Sequence, residues 1–156
     1  MDTVTFHTNR GSFTADLYPA EAPGTVENFK KLVRDGFYDG IVFHRVIPDF
    51  VVQGGDPLTK EHPLEHPRIG SGGPGYTIAC ETRGNPHKHQ VGALSMAHAG
   101  KDTGGSQFFI VLNEANTRHL NGVHTVFGRV TEGLDVVQQL RKGDRMEKLE
   151  LGGEAD

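Results

Sequence analysis

The sequence predicts a mainly β fold, a closed antiparallel β-barrel of about eight strands capped by two α-helices. Three observations predict it. Glycine occupies 21 of 156 positions, roughly twice the usual share, which calls for many tight turns. Short runs of β-branched and aromatic residues, bounded by Gly, Pro or Asn, recur along the chain. Helical periodicity is legible in only two places. No linker or internal repeat divides the chain, so residues 1–156 are expected to form one domain. A domain of this size needs no disulfide or metal staple.

Val4, Phe6, Phe13, Ala15 and Leu17 alternate with polar residues on either side of Asn9-Arg10-Gly11, the period of a half-buried hairpin. Ala22-Pro23-Gly24-Thr25 then opens a helix, with Thr25 expected as its N-cap. Val26, Phe29, Leu32 and Val33 form its apolar face, and Gly36 is the expected C′ residue. Strands are expected at Ile41 to Val46, Val91 to Met96, Gln107 to Leu112, Thr125 to Val130 and Lys148 to Leu151. A second helix is expected over Leu134 to Leu140, stopped by Gly143. The polar, Pro-containing stretch Leu58 to Ile69 lacks a strand pattern and reads as an inserted surface loop. Gly152 to Asp156 reads as a frayed tail.

A net charge of −4 and an isoelectric point near 6.1 offer no Lys/Arg stripe for phosphates, so no nucleic-acid partner is expected. The longest apolar run, Phe108 to Leu112, falls far short of the roughly 20 residues that span a bilayer. Met1 to His7 carries neither the basic nor the apolar region of a signal peptide. The one cysteine, Cys80, suits a reducing compartment and reads as a small half-buried residue. The expectation is a soluble, cytoplasmic monomer with no membrane partner.

Familiar catalytic patterns are absent. No Gly-x-x-x-x-Gly-Lys-[Ser/Thr] marks a phosphate loop and no Gly-x-Ser-x-Gly a hydrolase serine. His87-x-His89 and His62-x-x-x-His66 are the candidate metal pairs among nine histidines. Both lie in Pro-containing loops without further ligands at metal-site spacing, so solvated histidines and no metal are expected. The densest stretch is Phe43-His44-Arg45-Val46-Ile47-Pro48-Asp49-Phe50-Val51-Val52-Gln53-Gly54-Gly55-Asp56. On pattern alone Phe50, Val51, Phe109 and Leu120 read as core, and Gln107 and His124 as strand-end or surface polar residues. Arg45 in an apolar strand is either a site residue or half of a structural ion pair, with Asp56 the candidate partner, because an unpaired buried Arg is costly.

That stretch resembles the cyclophilin signature over all fourteen positions. Gly104-Gly105-Ser106-Gln107-Phe108-Phe109-Ile110 resembles the family's second block, and Leu120-Asn121-Gly122-Val123-His124-Thr125-Val126-Phe127-Gly128 its third. The likeness runs from Val4 to about Leu151. Glu81 to Phe109, through Gly92-Ala93-Leu94-Ser95-Met96-Ala97, looks most like small bacterial cyclophilins. The resemblance implies a peptidyl-prolyl cis-trans isomerase that assists protein folding without a cofactor. Its partners would be proline-containing peptides and unfolded or partly folded proteins. It implies Arg45, Gln53 and Phe50 as catalytic residues. Val51, Phe109 and Leu120 would wall a proline pocket, and Ala97, His98, Gln107 and His124 would hold the flanking peptide.

Four departures from the family's pattern stand out. Val51 replaces a common Met, and His98 replaces the usual Asn, whose backbone role survives the change. His119 stands where cyclosporin-sensitive relatives carry Trp, so weak cyclosporin binding is expected. The stretch Leu58 to Ile69 is longer than the corresponding turn in many relatives. Two other classes fit parts of the pattern. A non-catalytic proline-peptide module would not need Arg45, and a holding chaperone would need more exposed apolar surface than the sequence shows.

Overall fold

The computed structural model describes residues 2–152. Eight strands form one antiparallel sheet: β1 (Thr3–Thr8), β2 (Gly11–Leu17), β3 (Arg45–Ile47), β4 (Val51–Gly54), β5 (Ala93–Met96), β6 (Phe108–Val111), β7 (Val126–Glu132) and β8 (Met146–Gly152). Their spatial order is β3-β4-β6-β5-β7-β2-β1-β8. Helices α1 (Pro23–Arg34) and α2 (Leu134–Gln139) complete the fold. The expected hairpin forms with Thr8 opposite Gly11 across Asn9-Arg10. The strand β4 and the 3-10 turns Pro57–Lys60 and Ala115–Leu120 lie outside the elements expected from sequence.

The sheet curls into a half-barrel and does not close, which corrects the expected barrel. Its edges are β3 and β8. Among the described residues the segment before β3 meets the start of β8 at the isolated bridge Val42–Arg145 and through backbone hydrogen bonds such as Phe43 N to Asp144 O and Met146 N to Ile41 O, both at 2.8 Å. The expected strand from Ile41 to Val46 is divided here: the Val42 N–H goes to Thr59 Oγ1 at 3.1 Å, so no continuous ladder runs through it.

Strand alternation gives the sheet two apolar faces. The inner face packs Phe6, Phe13, Phe108, Ile110 and Phe127 against α1, whose Phe29 ring centre lies 5.2 Å from Phe127 and 5.9 Å from Phe108. The outer face gathers Val51, Ala93, Phe109, Val111 and Val126 into a second, smaller cluster with Tyr18, Phe50, Ala97 and Leu120 packed against it. A continuous Phe108-Phe109-Ile110-Val111 run is therefore a strand buried on both sides.

Helix α1 ends as expected. Gly36 takes φ 71°, Gly36 N donates to Val33 O and Phe37 N to Leu32 O, a Schellman closure that a side chain would strain. Its start differs. Thr25 is not the N-cap: its Oγ1 is buried without a hydrogen-bond partner among the described residues. Glu81, from a distant loop, accepts instead from Gly24 N at 3.0 Å and Thr25 N at 2.6 Å, placing a carboxylate on the free N–H groups of the first turn. The expected tail falls mostly outside the described residues, but Gly152 ends β8 opposite Thr3.

Candidate active site

Strand register builds the site. Arg45 on β3 pairs with Gln53 on β4, Gln53 with Phe109 on β6, and Phe109 with Ser95 on β5. Directly paired residues point to the same face, so this row crosses the outer surface of the sheet. Arg45 Nη1 donates to Gln53 Oε1 at 3.2 Å, Gln53 Nε2 donates to Gln107 Oε1 at 3.1 Å, and Gln107 Nε2 donates to Gly70 O and Gly72 O, both at 2.9 Å. The ion pair considered between Arg45 and Asp56 is not what forms. Arg45 is exposed, while Asp56 is fully buried and accepts from Leu58 N at 2.8 Å and Gly70 N at 2.5 Å.

Beside this row lies a cavity of about 320 Å³ lined by Arg45, Phe50, Val51, Gln53, Ala97, His98, Phe109, Leu120 and His124. Nine of the expected site residues thus meet at one place. The remaining peptide-holding candidate, Gln107, lines an adjoining cavity of about 450 Å³ that shares Gln53, Ala97 and His98 with the first. His119 does not line the cavity; its ring is parallel to Phe50 at 6.0 Å, one layer out. The 3-10 turn carrying His119 and Leu120 is tied to the β3–β4 turn by Asn116 Nδ2 donating to Asp49 O at 2.8 Å.

His124 Nδ1 donates to Met96 O at 2.9 Å, and its ring meets Phe109 edge-on at 5.4 Å. His98 stacks on His124 at 4.0 Å and is held at both nitrogens, accepting from Gly100 N at 3.1 Å and donating to Val123 O at 2.9 Å. The side chain of His98, and not its backbone alone, is therefore built into the rim. Burial, with His98, His89 and His119 nearby, holds the His124 imidazole below the ordinary histidine range against the opposing bond to Met96.

Behind Phe109 stands a group that sequence reading missed. His89, considered only as a metal ligand, is buried and stacks on Phe109 at 5.7 Å. Its Nδ1 donates to Asn121 Oδ1 at 2.7 Å, and Ser95 Oγ donates to its Nε2 at 2.8 Å. Burial lowers its pKa, in keeping with this neutral form. The nearest signal in the sequence was the closeness of His89 to the β5 block and of Asn121 to Leu120. The other metal candidates also have local partners. His87 Nε2 lies 2.8 Å from Glu21 Oε1 and its ring stacks on Tyr18, while His62 and His66 stack on each other at 4.1 Å. Among the described residues no three His, Cys, Asp or Glu side chains lie together as a metal set.

The loop expected at Leu58 to Ile69 is more firmly seated than a solvated insertion. It starts in the 3-10 turn capped by Asp56, and Thr59 Oγ1 both donates to Asp56 O and accepts from Val42 N. Lys60 lies over the Phe37 ring. No described helix is long and apolar enough to cross a membrane.

Known proteins are similar to this chain in sequence and in fold. The family model described as cyclophilin type peptidyl-prolyl cis-trans isomerase/CLD matches residues 3–151. Peptidyl-prolyl cis-trans isomerase B of Bacillus subtilis is 60% identical over 138 residues, which cover 88% of this chain and 89% of that protein. The crystal structure of a cyclophilin-type isomerase of Cryptosporidium parvum superposes with a TM-score of 0.84 at 26% identity, covering 99% of each chain. The same protein in the presence of the dipeptide Ala-Pro gives 0.83 at 27% identity, covering 97% of this chain and 99% of that one.

Proposed function

The chain belongs to the cyclophilin-type peptidyl-prolyl cis-trans isomerases, and on that premise we propose where and how it turns the X-Pro bond. The cavity of about 320 Å³ takes the proline ring, with Phe109, Val51, Leu120 and Phe50 as its apolar walls. The observation that carries this reading is the guanidinium of Arg45 held by Gln53 at the mouth of that apolar cavity.

An X-Pro amide crosses a barrier of about 20 kcal/mol, because the C–N bond loses its partial double-bond character when twisted. Bringing tens of seconds down to milliseconds removes roughly 5.5 kcal/mol, about four decades in rate. No bond is broken, so the task is to bind the twisted amide more tightly than either planar form. On twisting, the proline nitrogen becomes pyramidal and gains a lone pair. Arg45 donates to that lone pair, an acceptor which the planar amide barely offers. Gln53 fixes the guanidinium, and the walls grip the ring while the preceding carbonyl turns. Ala97, His98, Gln107 and His124 hold the flanking peptide along the two joined cavities.

The substrates on this reading are proline-containing peptides and unfolded or partly folded chains, in line with the Ala-Pro dipeptide present with the Cryptosporidium parvum protein. Cyclosporin binds weakly, since His119 presents a smaller apolar face than Trp. The test is an X-Pro peptide isomerisation assay. Arg45→Ala and Arg45→Lys should each lose at least tenfold in kcat/KM with unchanged circular dichroism, because Lys lacks the planar fork. Full activity in a folded Arg45→Ala protein would overturn the reading.

A further inference from the structure

We propose that the segment 56–72 is a positioning element for Arg45: the carbonyls of Gly70 and Gly72 set the donor–acceptor polarity of the Gln107–Gln53–Arg45 relay. The proposal rests on the catalytic reading of Arg45 given above. A glutamine amide is a donor at one end and an acceptor at the other. Both N–H bonds of Gln107 Nε2 are taken by the two loop carbonyls. Its Oε1 is thereby turned to accept from Gln53 Nε2, and Gln53 Oε1 is turned to accept from Arg45.

The reverse arrangement fails at each end. A flipped Gln107 would put its oxygen against two carbonyl oxygens and leave a buried amide unpaired, which is costly. Gln53 would then have to flip as well, presenting an NH₂ to a guanidinium that only donates. Arg45 is exposed, and the bond to Gln53 is the hydrogen bond described for its side chain.

Asp56 is the clasp of this segment. Its buried carboxylate closes the loop base by accepting from Leu58 N and Gly70 N. Gly72 lies so close that a methyl group on it would overlap Asp56 Oδ1, so the two carbonyls and the carboxylate form one packed unit. A segment without apolar periodicity thus reaches the reacting nitrogen through hydrogen bonds alone.

A double-mutant cycle tests this. Asp56→Asn keeps the shape but sets an NH₂ against one of the two N–H donors. We expect a three- to tenfold loss in kcat/KM, borne mainly by kcat. In the Gln53→Ala background, where Arg45 has already lost its acceptor, the same change should alter kcat/KM less than twofold. If Asp56→Asn does not fold, replacement of residues 58–69 by a short Gly-containing turn takes its place in the cycle, since it removes the Asp56-capped turn and leaves every cavity residue in place. An equal loss in both backgrounds, or no loss in the parent, overturns the relay while leaving Arg45 catalytic. Full activity in Arg45→Ala overturns the catalytic reading itself.

Discussion

Phe109 and Arg45 stand in the same cross-strand row, yet they are held in different ways. Phe109 is fixed by alternation along β6, stacked on His89 and buried in the outer cluster. Arg45 is exposed and keeps its direction through Gln53, Gln107 and two carbonyls of the 56–72 segment. The apolar wall is thus part of what stabilises the sheet, whereas the polar wall is attached to it by directional bonds. Damage to the first should appear as lost stability, and damage to the second as lost turnover in a stable protein.

Phe109→Ala should give the largest effect. Deleting a buried Phe side chain costs about 3–5 kcal/mol through lost transfer energy and the cavity left behind. Thermal or urea unfolding should show that loss, together with weakened peptide binding. Gln53→Ala should change stability by about 1 to 2 kcal/mol, the scale of its two hydrogen bonds, and lower kcat. If the two variants lost equal stability, the division between the walls would fail.

His119→Trp probes the outer layer of the apolar wall. His119 lies over Phe50 without lining the cavity, so a larger ring there extends the apolar face that meets a bulky ligand. At about 25 cal/mol per Å², some tens of Å² of added contact are worth about 1 to 2 kcal/mol, roughly five- to thirtyfold in cyclosporin affinity. Peptide turnover should stay within twofold. Equal drug affinity for both variants, measured by titration, would move the cause of weak binding to Val51 or the 56–72 segment.

Replacing residues 58–69 with a short Gly-containing turn tests the polar wall from its far end. As pure surface decoration the loop would be dispensable. With Gly70 N on Asp56 and the carbonyls of Gly70 and Gly72 on Gln107, the replacement should instead lower kcat/KM about three- to tenfold, the scale of losing about one hydrogen bond. The protein should stay folded, because 58–69 contributes no strand to the sheet. Unchanged turnover would return the loop to decoration.

What the sequence showed follows the same division. The hairpin, the apolar face of α1, its Gly36 stop and the strand buried on both faces all rest on periodicity or single-residue conformational preference, and these are readable locally. Seven of the nine residues that meet at the cavity were legible through three sequence blocks, and Ala97 and His98 lie in the stretch that resembles bacterial relatives. The Glu81 cap of α1, the Asp56 clasp and the His89–Asn121–Ser95 support were not legible. Each includes a bond to a group at least 14 residues away along the chain, and hydrogen-bond satisfaction leaves no periodic trace. The barrel was over-read for a related reason. Alternation shows which face of a strand is buried, but not whether Val42 N–H will go to a neighbouring strand or to Thr59 Oγ1.

The smallest effect expected is in the pH profile, and it separates the two walls once more. Burial, reinforced by His98, His89 and His119, lowers the His124 pKa from its ordinary value of 6.5, with the bond to Met96 O opposing. A charge on this ring would sit against Phe109 and share a cavity with Arg45, so the neutral form is the one expected to bind peptide. Since the folded pKa lies below 6.5, less than half of His124 is protonated at pH 6.5, and kcat/KM there should be reduced by less than twofold from its neutral plateau. The loss should deepen as pH falls through the folded pKa. His124→Gln should flatten this limb, while Arg45→Lys should lower the whole profile without moving it. Stability should follow the same sign. His44, His89 and His124 all have depressed folded values, with burial the largest cause of each. The unfolded chain therefore binds protons first, so their contribution is complete above about pH 6.5 and declines as pH falls towards and through the folded values. An acid limb centred above pH 6.5 that survives in His124→Gln would assign the titration to another group and remove His124 from the binding wall.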